Sequence, residues 1–168
     1  MKNEKGFSLI ELLIVVAIIG IIAAIAIPNL LKSRQAANEA SAIGSTRTVG
    51  TAQATYMSTR GKGKDFAVGF TELMNDNAVD TALGSGAKSG FNFTCVGVAA
   101  AVGVPSYFDT TASPQSVGNF GTGNRSFYSN ETYVVYQQDG QVTGTWGTTA
   151  PGGGGATRLP AAPATPIE

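Results

Sequence analysis

The chain of 168 residues contains no histidine and a single cysteine, Cys95. Without histidine, imidazole acid–base catalysis, Ser-His and Cys-His nucleophile pairs and nearly every zinc site are excluded. A single cysteine also excludes an intrachain disulfide. We therefore expect no enzymatic activity, no cofactor and no bound metal ion.

Charged residues are also scarce: they make up 13% of the chain, and Lys plus Arg equal Asp plus Glu at 11 each. This balance provides no general electrostatic reason to expect nucleic acid or an anionic surface as the main partner. Arg60, Lys62 and Lys64 form a small basic cluster that could touch DNA or a surface, but a solvated loop explains it better. The length allows one anchor and one modest globular domain.

A long apolar segment lies near the amino terminus. Residues 7–27 are apolar except for Ser8 and Glu11. As a helix this segment would span about 30 Å, the thickness of a bilayer core. Lys2 and Lys5 favour keeping the first residues in the cytoplasm. The segment is thus predicted to cross a membrane once, with the rest of the chain outside.

Glu11 is the unusual residue of this segment, since a carboxylate inside a membrane helix costs about 2.5–3.5 kcal/mol on insertion scales. One alternative is an ordinary signal peptide cleaved after the small residues Ala24 and Ala26. Its apolar region would usually run about 7–15 residues, which is shorter than this one. A plain membrane anchor is the other alternative, and it leaves Glu11 without a role.

The string KGFSLIELL at residues 5–13 is followed by an Ile/Val/Ala run, Gly20 and Pro28. It resembles the prepilin leader and amino-terminal helix of type IV pilins and related pseudopilins. The resemblance implies that a membrane-embedded prepilin peptidase cuts between Gly6 and Phe7 and then N-methylates Phe7. Gly6 suits such a cleft because it lacks a Cβ atom.

The resemblance also implies partners and a location. The main partner would be the chain itself, in a homopolymer with or without minor pilins, built by a pilus assembly platform and its ATPase. The precursor would be a single-pass inner-membrane protein whose head faces the periplasm. The assembled pilus would be extracellular, on the cell surface.

Cleavage would create an α-amino group on Phe7, which is cationic at neutral pH. When subunits stack through their apolar helices, Glu11 of one subunit can meet the Phe7 amine of a neighbour. A paired buried charge is far less costly than an isolated one. Glu11 and Phe7 are therefore predicted to set the register of assembly.

Two residues weaken the apolar helix. Gly20 lowers helix propensity, and Pro28 lacks an amide hydrogen and clashes with the carbonyl of Ala24. We expect the helix to bend or loosen between Gly20 and Pro28.

Five regions are predicted along the chain: a leader (1–6), the hydrophobic half of the helix (7–28), its outer half (29–60), a globular head (61–147) and a mobile tail rich in Pro, Gly and Ala (148–168). The fold class is α+β, with the long helix packed against a small antiparallel sheet. The outer half has a face of mostly small residues at helical spacing. This face comprises Ala36, Ala40, Ile43, Gly50, Ala54 and Met57.

The head begins with a predicted short helix within residues 70–90, with Thr71 as a possible N-cap. Strands are predicted at 91–98, 105–110, 125–129, 132–138 and 141–146. Asp139-Gly140 is a two-residue hairpin turn signal between the last two. Many type IV pilins close a carboxyl-terminal loop with a disulfide, and this chain departs from that pattern.

The favoured function is a structural subunit of a type IV pilus that serves adhesion, twitching motility or DNA uptake. One alternative is a pseudopilin of a type II secretion system, although the carboxyl-terminal region lacks a recognisable acidic calcium-binding loop. An alternative of another class is a secreted binding protein with an ordinary signal peptide.

The intact mass of the mature protein distinguishes the two processing sites. Cleavage after Gly6 leaves the apolar helix on the product, whereas cleavage after Ala26 removes it. We expect the cellular protein to have the mass of residues 7–168 plus a methyl group. A soluble product that begins at Ile27 would instead support the secreted binding protein.

Overall fold

The computed structural model describes residues 6–142 and 164–167. Within these residues, one long helix precedes two short helices and six strands. The helices are α1 (Leu9–Thr59), α2 (Phe70–Asn75) and α3 (Thr81–Gly84). The strands are β1 (Ala87–Lys88), β2 (Phe91–Val98), β3 (Tyr107–Pro114), β4 (Arg125–Asn130), β5 (Val135–Asp139) and β6 (Thr165–Pro166).

The helix α1 is continuous over 51 residues, which corresponds to a length of about 76 Å. Gly20 and Pro28 both lie inside it. A proline within a helix removes one hydrogen bond and costs about 3 kcal/mol, but the helix formers on either side keep the remaining bonds. In the isolated chain the helix therefore does not end between Gly20 and Pro28, and the loosening there stays a prediction for the filament.

The two parts of α1 have different surroundings. The buried residues of this helix begin at Gln35 and end at Gln53. The earlier part contains an 18-residue window with a mean hydropathy of 3.1, and none of that window is buried. Among the described residues, α1 is the one helix whose length and composition would allow it to cross a membrane.

The strands form one antiparallel sheet in chain order, from β1 to β6 within the described residues. The longest ladder joins β2 to β3, from Phe91 opposite Pro114 to Val98 opposite Tyr107. Buried and exposed residues alternate along β2, as they do in a strand with one face on a core.

The core lies between this sheet and the outer part of α1. Val49 of α1, Leu73 of α2, and Phe91 and Phe127 of the sheet are all fully buried. The rings of Phe91 and Phe127 are stacked, with centroids 5.9 Å apart. The predicted α+β class, a long helix packed against a small antiparallel sheet, is confirmed.

The face by which α1 packs is different from the predicted one. Ala36 and Ala40 are exposed, so this part of the prediction is wrong. The remaining predicted positions are buried or half-buried: Ile43, Gly50, Ala54 and Met57. The residues that form the buried stripe recur at spacings of three or four: Gln35, Glu39, Ala42, Thr46, Val49 and Gln53. Most of them are polar, so a search for apolar periodicity does not find this stripe.

Glu39 connects α1 to the start of β4. Its Oε1 accepts hydrogen bonds from the backbone N–H groups of Asn124 and Arg125, at 2.8 and 3.3 Å. Its Oε2 accepts one from Nε of Arg125 at 2.8 Å and lies 2.7 Å from the second guanidinium nitrogen. The same guanidinium donates to Oε1 of Gln137 on β5 at 2.6 Å. The buried carboxylate is therefore paired with a cation and accepts hydrogen bonds at both of its oxygens.

Gln53 makes a second polar connection, deeper in the core. Its side chain donates to the carbonyl of Ala67 at 3.0 Å and accepts from the N–H of Ala67 at 2.8 Å. Its Nε2 also lies 3.1 Å from Sγ of Cys95. Burial raises the pKa of the Cys95 thiol to about 11. The hydrogen bond from Gln53 acts in the opposite direction and lowers this pKa, and the charge of Asp109 adds a smaller increase.

The short helix predicted within residues 70–90 is two helices. Thr71 lies inside α2, whose N-cap is Gly69, so the predicted N-cap is wrong. The N-cap of α3 is Asp80, and its carboxylate accepts a hydrogen bond from the N–H of Leu83 at 2.7 Å. A side chain that satisfies a free helix N–H in this way stabilises even a single turn.

The strands agree with the sequence prediction in part. The strand predicted at 91–98 is confirmed as β2, and that at 125–129 corresponds to β4. The strand predicted at 105–110 begins two residues before β3. The one predicted at 132–138 begins too early, because Tyr133 has a φ of 60° and a strand needs a negative φ.

The predicted final hairpin and the predicted tail both differ from the structure at the residues that the structure describes. Gly140 follows β5 with a φ of 89°, but Gln141 and Val142 are not in a strand, and the rest of the predicted strand 141–146 lies outside the described residues. Instead, β5 pairs with β6. The N–H of Ile167 bonds to the carbonyl of Val135 at 2.8 Å. The end of the predicted tail is therefore part of the sheet, and the rest of it lies outside the described residues.

The contact between Glu39 and β4 is open to a stability test. Glu39→Ala leaves two backbone N–H groups and a guanidinium without their acceptor. Because the Arg125 side chain is 38% exposed, we expect a loss of about 2–3 kcal/mol, below that of a fully buried pair. Urea unfolding of the detergent-solubilised chain, followed by near-ultraviolet circular dichroism, measures it. Lys88→Ala, which breaks a more exposed pair with Asp80, is the control and should cost less than about 1 kcal/mol. Equal losses in the two variants would contradict this assignment.

Cys95 is expected to be an unreactive thiol in the folded protein. Its pKa is about 11 against an ordinary value of 9.0, so at pH 8 its thiolate fraction is about a hundredfold lower than that of a free cysteine. Because the folded chain favours the neutral thiol, the contribution of Cys95 to stability is full below pH 9 and is lost as the pH rises through 11. Labelling with a chromogenic disulfide reagent should be at least about a hundredfold slower in the folded chain than in urea. Rapid labelling without urea would contradict the burial of Cys95.

Candidate assembly site at the amino-terminal helix

The predicted cleavage site lies in an exposed, non-helical segment just before α1. Gly6, Phe7 and Ser8 are exposed and precede the first helical residue, Leu9. The Phe7 side chain is 89% exposed. Ser8 is the N-cap of α1 with φ −74° and ψ 143°. A protease that binds its substrate in an extended form could thus reach the Gly6–Phe7 bond without unwinding the helix.

The carboxylate of Glu11 turns back to the beginning of its own helix. Its Oε2 accepts a hydrogen bond from the backbone N–H of Ser8 at 2.9 Å, as in a capping box. The contact satisfies one of the free N–H groups at the helix start, where the helix dipole also favours a negative charge. A carboxylate has two acceptor oxygens, so this bond leaves capacity for a cation.

The structure therefore brings Glu11 close to Phe7 within one chain. The N–H that Glu11 binds belongs to Ser8, the residue that follows Phe7. Cleavage between Gly6 and Phe7 leaves the amide of Ser8 intact, so this contact can persist in the mature chain. The pairing of Glu11 with Phe7 of a neighbouring subunit stays a prediction.

The apolar part of α1 presents its side chains outward on all sides. They are 51% exposed or more and include Leu9, Ile10, Leu12, Leu13, Ile14, Val15, Val16, Ile18, Ile19, Ile21, Ile22, Ile25, Ile27 and Leu30. Water-soluble monomers rarely expose continuous apolar patches above a few hundred Å². This surface therefore needs lipid or other protein chains around it.

Gly20 and Pro28 lie within the same exposed part of α1. A Cβ atom at Gly20 would meet nothing within 4 Å, so close packing inside this chain does not explain the glycine. Its role, like that of Pro28, is left to contacts outside the single chain.

The basic cluster lies where α1 ends. Arg60 forms an ion pair with Asp76 at 2.8 Å. Lys62 and Lys64 are exposed, and Lys62 has a φ of 53° in the turn that leaves the helix. Within residues 6–142 and 164–167, no group of three or more His, Cys, Asp or Glu side chains is arranged to hold a metal ion.

Sequence reasoning missed the polar residues that hold the head on α1. Gln35 donates to the carbonyls of Gly118 and Gly121, at 2.6 and 3.0 Å. Asn38 donates to the carbonyl of Thr122 at 2.9 Å. The signal that could have found them is the cluster of amide and carboxylate side chains at Gln35, Asn38 and Glu39, one helical turn apart or less.

Comparison with known proteins supports the amino-terminal assignment. The family model described as the prokaryotic N-terminal methylation motif matches residues 1–27. The type IV wide pilus major component PilA4 of Thermus thermophilus is 67% identical over 39 residues, which cover 23% of this chain and 30% of that protein. The type IV major pilin protein PilA of Myxococcus xanthus is 46% identical over 70 residues, 40% of this chain and 32% of that protein.

A further relative is similar over a longer segment. The type IV major fimbrial protein FimA of Dichelobacter nodosus is 48% identical over 75 residues, which cover 42% of this chain and 46% of that protein. The chain thus spans less than half the length of each of these relatives. No solved structure matches it significantly. Over its amino-terminal part the chain is thus similar to type IV pilins and fimbrial proteins, and it carries the prokaryotic N-terminal methylation motif.

Proposed function

We propose that the chain is a subunit of a type IV pilus and polymerises through α1. The observation that supports this most is the apolar half of α1, which is exposed on every side and begins with the Ser8–Glu11 cap. An apolar helix of this length is unfavourable in water and needs lipid or other helices around it. A bilayer surrounds it before assembly, and neighbouring helices replace the lipid in the filament.

In this proposal the prepilin peptidase cleaves the exposed, non-helical Gly6–Phe7 bond and methylates the new amine of Phe7. Methylation keeps the positive charge. Glu11 first neutralises the amino-terminal end of its own helix, and its remaining acceptor capacity then receives the Phe7 amine of a neighbour. Apolar contacts supply most of the attraction but specify position loosely, so the ion pair sets the register.

The proposed life cycle has two locations. The precursor is anchored in the inner membrane with its head in the periplasm, and the assembly platform and its ATPase then build it into the filament. The product is an extracellular filament of many copies, with or without minor pilins. Between Gly20 and Pro28 the helix is expected to loosen as the stalks pack.

A pseudopilin of a type II secretion system is the second candidate, because it would use the same helix and the same ion pair. The relatives support the pilus, because each of them is a type IV pilus or fimbrial component. Shearing the cell surface and identifying the released protein by mass spectrometry separates the two candidates. Adhesion, twitching motility and DNA uptake are uses of the filament that assays on pilus-deficient cells would assign.

Glu11→Val tests the proposed register. The substitution removes a costly charge from the membrane, so insertion should be at least as good as before. Cleavage between Gly6 and Phe7 should continue, since the backbone at this bond is unchanged. Assembly should fall sharply, because the Phe7 amine of a neighbour would be left unpaired in an apolar core at a cost of about 3–5 kcal/mol. Immunoblots of membrane and sheared fractions measure processing and assembly separately.

Two further variants make this test specific. Glu11→Gln keeps the shape and the hydrogen bond to Ser8 while it removes the charge, so it should also fail to assemble. Ile14→Val, a small apolar change on the same exposed surface, should assemble normally. Normal processing together with a wild-type number of filaments in Glu11→Val cells would show that Glu11 does not set the register.

A further inference from the structure

The loop of residues 115–124, which joins β3 to β4, is the part of the head that contacts α1 nearest to its apolar half. Gln35, the first buried residue of α1, donates to the carbonyls of Gly118 and Gly121 in this loop. The loop is closed on itself as well, because the N–H of Thr122 bonds to the carbonyl of Ser116 at 2.8 Å. These bonds hold the loop in a defined position beside the helix.

The surface of this loop is unusual for a periplasmic head. Phe120 is 83% exposed and Val117 is 48% exposed. Residues 115–124 contain no charged side chain. An exposed aromatic ring on an uncharged polar loop has the composition found at membrane–water interfaces, where amphipathic and aromatic side chains concentrate.

The position of the loop along α1 corresponds to such an interface. Beyond the apolar segment 7–27, Leu30 and Leu31 add two further apolar residues after Asn29, and the exposed cations Lys32 and Arg34 follow them. Gln35 lies about 6 Å beyond Leu31 along the helix axis. The headgroup layer on each side of a bilayer is about 5–7 Å thick. The helix from Leu9 to Leu31 is about 33 Å long, so a tilted helix places Leu31 at the edge of the hydrocarbon core and the loop at the level of the headgroups.

We propose that, in the membrane-anchored precursor, this loop rests on the phospholipid headgroup layer and inserts the Phe120 ring into it. The head then has a second contact with the bilayer besides the helix, and its orientation relative to the membrane is fixed before assembly. Lys32 and Arg34 lie on the same level and can bind lipid phosphates. The proposal rests on the membrane-anchored stage of the proposed function.

Tryptophan fluorescence in vesicles tests this contact. The chain has one tryptophan, Trp146, which Trp146→Phe removes. Phe120→Trp and Val102→Trp then place a single probe at each position in turn. Val102 is fully exposed, and its loop is bonded through Ala100 to Asp65, beyond the far end of α1. It is therefore a matched control at the opposite end of the head.

The full-length precursor variants are reconstituted, at low protein density, into phosphatidylcholine–phosphatidylglycerol vesicles with lipids brominated near the headgroup. We expect the emission of the probe at position 120 to fall about twofold, and that at position 102 to change little. Adding Gln35→Ala, which removes two of the hydrogen bonds between the loop and α1, should weaken the quenching at position 120.

Three results would overturn the proposal. The first is equal emission at position 120 with and without brominated lipid, and the second is equal quenching at both positions. The third is a change in the emission of the probe at position 120 that develops only as the protein density in the vesicles rises, since a second copy of the chain would then cover the loop. Flotation of the same vesicles keeps the stages separate: a chain that does not float with lipid contradicts the membrane anchor itself, whereas a floating chain with an unquenched probe contradicts only the loop contact.

Discussion

The structure depends on one helix that must satisfy two different environments along a single continuous rod. From Leu9 to about Leu31 its side chains are mostly apolar and exposed. From Gln35 to Gln53 it carries the head on a stripe that is largely polar. The helix can do both because its backbone hydrogen bonds are internal in either surrounding, so only the side chains have to match lipid, neighbouring helices or sheet.

The polar stripe explains how a small head is held without a disulfide. Glu39 and Gln53 reach from α1 to the backbone of β4 and of the segment before α2, where they occupy N–H and C=O groups that would otherwise be buried without partners. Each contact binds a defined position, whereas apolar packing alone would allow the head to slide. The head is thus fixed to the helix at several heights, and any force on the helix is transmitted to the sheet.

The same logic of satisfied groups applies at the two ends of the molecule. Glu11 accepts a hydrogen bond from the N–H of Ser8, the N-cap of α1, which would be costly to leave unpaired in lipid. At the other end, Ile167 and β6 pair with β5 and cover part of an edge that would otherwise be open to other strands. Neither contact covers the apolar side chains of α1. Among the described residues, these side chains form the large apolar surface that remains exposed.

The sequence by itself determined the helix, its apolar half, the motif around Gly6, Phe7 and Glu11, and the strand Phe91–Val98, because each depends on local composition and period. Tertiary structure decided which face of α1 packs, since Gln35, Glu39 and Gln53 become favourable inside only when the backbone of the head supplies their partners. It also decided the place of Thr165–Pro166 in the sheet, because a two-residue strand has no periodic signal and exists only through β5. Propensity reports what a segment prefers alone, whereas these contacts join residues far apart in the chain.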